Sequence, residues 1–112
     1  MNMQSRSEER SLVLHREIAR KLRDNPALWQ IPKENLLRWK GISGYQSPAL
    51  WEWEHILKTQ SHEQILGLLE SNTEDAVRLR SSSPFTGILS HDERSMIFTS
   101  YRYLEEVEKM RS

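Results

Sequence analysis

Glu52 and His55 stand three positions apart, a spacing that puts a carboxylate and an imidazole on one face of a helix. Dinuclear metal bundles use such a pair twice, with further glutamates pointing inward. This chain offers it once. Its histidines, His15, His55, His62 and His91, form no His-x-x-x-His pair, and the absence of cysteine excludes thiolate ligands and disulfides. No metal and no cofactor are expected, and Glu52 and His55 read as a solvated helix face. Ser81, Ser82 and Ser83 are the candidate nucleophiles. They lack the Gly-x-Ser-x-Gly elbow and the strand that would hold it, so they read as a helix end leading into a Ser-Pro turn. A phosphate loop and a dinucleotide fingerprint are also missing. The chemistry-bearing residues therefore point away from an enzyme.

What remains is recognition. Arg16, Arg20 and Arg23 recur at i, i+4 and i+7, which makes one stripe on a helix. Such a stripe suits an acidic protein surface or a nucleic-acid backbone; the bland alternative is a solvated face. The chain carries 16 basic and 16 acidic side chains, so no excess of positive charge speaks for nucleic acid. The charges are segregated, however. Residues 1–40 carry a net +4, residues 41–77 a net −5 and residues 78–112 a net +1. The first two thirds can close on each other or leave a basic face for a partner. Four tryptophans are many for a chain of 112 residues, and tryptophan and arginine concentrate interface energy. Trp51 and Trp53 lie about 200° apart on a helix. Either their helix is buried on both sides or one of them faces a partner. Ser83, Pro84 and Phe85 complete the candidate partner-binding set, in a loop whose Phe85, Ile88 and Leu89 should tuck against a core.

The elements that position these residues can be read from capping chemistry. Ser5 and Glu8 have capping-box spacing, which predicts a helix over about 7–23. Leu12, Leu14, His15, Ile18, Ala19 and Leu22 would share its apolar arc. His15 there is expected to be a hydrogen-bonded core histidine. Asn25-Pro26 restarts the chain with a short turn, and Pro32–Lys40 follows as a short helix ending at Gly41. A loop over 41–46 leads to Ser47-Pro48 and a helix with Leu50, Trp51, Trp53, Ile56 and Leu57. Ser61/Gln64 and Ser90/Glu93 are further capping boxes, and Thr73 is a plain cap. The last helix should run over about 92–109, with Met96, Ile97, Tyr101, Leu104 and Val107 on one face and Tyr103 and Met110 on its rim. The lengths of 50–58 and 62–70 suit a helix-turn-helix, but the second has no basic residue to read bases with. No segment alternates long enough for a confident strand. The expected fold is all-α, a compact bundle of five to six short helices with a long C-terminal one. Residues 1–112 would form one domain, with 1–6 disordered. The lack of an apolar run of about 20 residues argues against a membrane span. The lack of cysteine suits a cytoplasmic setting.

Two segments carry a likeness. Ser11–Ala19 with Leu22–Leu28, and Leu79–Ser90 with Glu93-Arg94, together resemble short bacterial helical proteins that look like the antitoxin partner of two-gene toxin–antitoxin modules. The resemblance implies a protein that binds and neutralises a toxin enzyme by covering its site. It brings no binding residues with it. A small DNA- or RNA-binding regulator using the arginine stripe is the alternative, and a homo-oligomer is compatible with either.

Overall fold

The structure, a computed structural model, describes residues 3–42 and 47–111; of residues 3–7, 104, 105 and 111 it describes the backbone alone. Among the described residues six α-helices follow one another: α1 (Met3–Asp24), α2 (Gln30–Lys40), α3 (Pro48–Thr59), α4 (His62–Glu70), α5 (Glu74–Arg80) and α6 (His91–Arg111). A 3-10 turn, Pro26–Trp29, joins α1 to α2. No strand occurs among the described residues. The all-α bundle with a long last helix is the observed fold.

Most helix starts follow the capping residues. Asn25 accepts from the Ala27 amide ahead of Pro26. Ser61 and Gln64 close a reciprocal capping box on α4, as Ser90 and Glu93 do on α6. Thr73 caps α5, with Glu74 and Asp75 in its first turn. At Ser5 the pattern misleads. The backbone is already helical at Met3, so Ser5 and Glu8 lie inside α1, and the helix enters the segment expected to be disordered. Pro32 sits in the first turn of α2 rather than at its start, two residues after Gln30. The loop predicted over 41–46 falls largely on residues 43–46, outside the described residues.

α1 lies at the centre and buries His15, Ile18, Ala19 and Leu22, one stripe at helical spacing. Ile65, Leu66 and Leu69 of α4 are buried with it, as are Leu50, Trp53 and Ile56 of α3. The segment between α5 and α6 enters this core. Pro84, Phe85, Ile88 and Leu89 are buried, and Phe85 is only 1% exposed. Its ring stands edge-on to Trp29 at 6.1 Å and to Trp53 at 5.5 Å between centroids. Burying one phenylalanine contributes roughly 2–3 kcal/mol, and edge-on aromatic pairs add to that. Gly87 supplies the left-handed backbone, with φ of 99°, that lets the segment turn back toward α6.

α6 runs antiparallel to α1. Lys21 of α1 bonds Glu93 of α6 at 2.8 Å, and the Tyr101 hydroxyl donates to Glu9 further along both helices. Met96 departs from expectation. It is 71% exposed, because α6 rests on α1 through the turn after it, where Ile97, Phe98 and Tyr101 are half-buried. Tyr103 and Met110 are exposed rim residues as predicted, and Val107 is half-buried. The side chain of Leu104 lies outside the described residues.

Candidate functional surface

Three members of the expected partner-binding set are core residues. Trp53 is completely buried, and its indole Nε1–H donates to the Leu79 carbonyl at 2.9 Å. Pro84 and Phe85 are buried for the reason given above: the loop plugs the aromatic core instead of projecting from it. Ser83 is half-buried, and its Oγ accepts from the Phe85 amide at 3.2 Å, a local turn contact. None of the four forms a protruding contact surface.

The arginine stripe is present but mostly spent. Arg20 donates to Glu17 at 2.8 Å and to Asp24 at 2.9 Å. Arg23 forks onto Glu70 with bonds of 2.8 and 2.6 Å, tying basic α1 to acidic α4. That fork holds the Glu70 carboxyl below its ordinary range. Arg16 is exposed and makes no ion pair among the described residues. The segregated charges thus close within the chain to a large extent. Arg78 of α5 forks in the same way onto Glu52 of α3, at 2.8 Å for both bonds. Glu52 is therefore committed to a guanidinium, while His55 is exposed. Among the described residues no group of three or more acidic or histidine side chains is placed to hold a metal ion.

Two buried polar residues, His15 and Arg80, sit where α1, α4 and α5 meet. His15 donates from Nδ1 to the Ser11 carbonyl at 2.7 Å, which leaves Nε2 as the lone-pair nitrogen of a neutral ring. Burial pushes its pKa down to about 4, with a smaller push from the Arg80 charge. Arg80 is 4% exposed and donates through Nη1 to the carbonyls of Leu68 and Ser71, closing the C-terminal end of α4. A cleft of about 770 Å³ lies beside it, lined among others by Glu8, Glu74, Arg78 and Arg80. Two carboxylates balance two guanidiniums there, so the cleft favours neither anion nor cation.

Trp51 is the exposed tryptophan, at 65%, one of the two arrangements its spacing from Trp53 allowed. On α3 it precedes Glu54 by one turn and Lys58 by two, so the three share a face. Beside them α2 and α3 pack together and leave a groove of about 380 Å³. Leu36, Leu37 and Leu57 supply apolar lining, and Lys33, Lys40, Lys58 and Glu54 the charges. Leu37 is 70% exposed, and Ile42, just past the end of α2, is 53% exposed. Both Lys40 and Lys58 bond Glu54, at 2.9 Å each. The two ammonium groups hold its carboxyl below the ordinary range. Of this surface, sequence reasoning named Trp51 but missed the groove. The signal was present in Lys33, Leu37 and Lys40, which share one face of α2 at i, i+4 and i+7.

Comparison with known proteins brings no match: no family model, no curated protein and no solved structure is similar to the chain. No helix among the described residues is long and apolar enough to cross a membrane.

Proposed function

We propose that the chain is a non-enzymatic interaction module whose α2–α3 face holds a protein partner. The observation that carries this is the exposure of Trp51 and Leu37 on one helical pair, beside a groove with apolar lining. Large apolar side chains grouped on a surface cost solvation until something covers them, and tryptophan is the residue type most often dominant in such contacts. The likeness of the two sequence segments to antitoxins favours a toxin enzyme as the partner, neutralised by covering its site. The arginine stripe offers a polyanion one uncommitted guanidinium, Arg16, so the nucleic-acid reading is the less supported of the two.

Co-expression with the product of the adjacent gene tests the proposal. The neighbour should be toxic alone, harmless with this chain, and co-purified with it. Trp51→Asp should break co-purification while leaving the helical circular dichroism unchanged. A neighbour that is neither toxic nor retained would overturn the antitoxin reading.

A further inference from the structure

We propose that the groove between α2 and α3 receives an acidic amphipathic helix of the partner protein. This deepens, and rests on, the interaction reading above. The shape argues for a helix. The lining runs from Lys33 to Lys40 on α2 and from Glu54 to Lys58 on α3, so the trough is about 10 Å long, the length of two turns. A helix laid in such a trough presents apolar anchors at i, i+3 or i+4, and i+7. An extended peptide would need a sheet edge to pair with, and the described residues contain no strand.

The charge argues for an acidic partner. Lys33, Lys40 and Lys58 line the groove against a single carboxylate, Glu54. Glu54 is shared between Lys40 and Lys58, so the lining keeps an excess of two positive charges. Lys33 makes no ion pair among the described residues. Carboxylates flanking the apolar anchors of an incoming helix would reach these ammonium groups. They would enter a site where one carboxylate is already held by two lysines. A basic helix would meet three like charges across an apolar floor, which disfavours it. A second copy of this chain is the less suited occupant. The exposed apolar residues of α6, Met96, Tyr103 and Met110, are accompanied by Arg102 and Lys109 as well as Glu106 and Glu108, so α6 is not an acidic helix.

Fluorescence anisotropy with a synthetic helical peptide of about four turns tests this. One labelled peptide carries leucine at i, i+3, i+4 and i+7 with glutamate on its flanks; a second has lysine for every glutamate. The full chain should bind the acidic peptide in a salt-dependent manner and bind the basic one at least about tenfold more weakly. Leu37→Ser, and separately the triple change Lys33→Glu, Lys40→Glu and Lys58→Glu, should each weaken the acidic peptide by about tenfold or more. Equal binding of the two peptides, or indifference to both variants, overturns the proposal. So does a wild-type dimer in size-exclusion chromatography that Leu37→Ser converts to monomer, because a second copy then fills the groove. Co-purification of the neighbouring gene product that survives Leu37→Ser and the triple change would sink the acidic helix but keep the interaction module. Peptide binding as expected without any retained neighbour would do the reverse.

Discussion

Asn35 and Pro84 are 49 positions apart in the chain, yet the Asn35 side-chain amide donates to the Pro84 carbonyl at 2.8 Å. The same Nδ2 donates to the Thr86 carbonyl at 2.8 Å, and Arg38 donates to Asn35 Oδ1. Asn35 is 5% exposed, so one buried amide fixes the loop that carries Phe85 into the core. Both carbonyls flank Phe85 and would otherwise be left unpaired at a buried or half-buried site. Asn35→Leu keeps the branched shape and removes the donors, so it should cost about 2–4 kcal/mol in urea unfolding. Asn35→Asp should cost at least as much at neutral pH, since a carboxylate would face two carbonyl oxygens. A loss below about 0.5 kcal/mol for both would mean that Phe85 packing alone holds the loop.

Trp51 and Trp53 should behave oppositely under substitution. Trp53→Ala opens a cavity beside Phe85 and takes the indole donor from the Leu79 carbonyl, which keeps the Ser82 amide at 3.2 Å, and should cost about 3–5 kcal/mol. Trp51→Ala removes a side chain that is 65% exposed and should change stability by less than about 0.5 kcal/mol. Thermal or urea unfolding of the two variants reads the difference directly. A large loss at Trp51 would show that it belongs to the fold rather than to a contact surface.

Local chemistry was legible in the sequence, and pairing between distant elements was not. The boxes at Ser61 and Ser90 and the cap at Thr73 need only neighbours three residues away, so their helices start where the spacing says. The 200° between Trp51 and Trp53 is a property of one helix and limited the outcomes to two. No local spacing marks Asn35, because the two carbonyls it donates to lie beyond α5. The burial of Arg80 depends on the carbonyls of Leu68 and Ser71, to which α5 carries it. The groove is invisible until α2 and α3 are known to pack side by side. Lys21 of α1 donates to the Ile88 carbonyl at 2.8 Å and pairs Glu93, a junction between residues 67 and 72 positions apart that no local spacing announces.

That junction and the buried histidine should be read out by pH in separate windows. Folded His15 titrates at about 4, whereas an unfolded histidine titrates near 6.5. Between these values the unfolded chain binds more protons, so stability from this group is complete above about 6.5. It declines as pH falls through the window and is lost below about 4. The size is about 3 kcal/mol. Glu93 is held at about 2 by the Lys21 ammonium and by bonds from Ser90, against an ordinary 4.5. Its contribution is present above 4.5 and disappears as pH falls toward 2. His15→Gln should therefore flatten the loss of unfolding free energy between pH 6.5 and 4, and leave the lower window as it is. Glu93→Gln should do the opposite. Urea unfolding of wild type and both variants from pH 7 to pH 3 measures each slope. A wild-type curve with no slope between pH 6.5 and 4 would show that the His15 imidazole gains its proton as readily in the fold as outside it, against the burial and the Ser11 bond that keep it neutral.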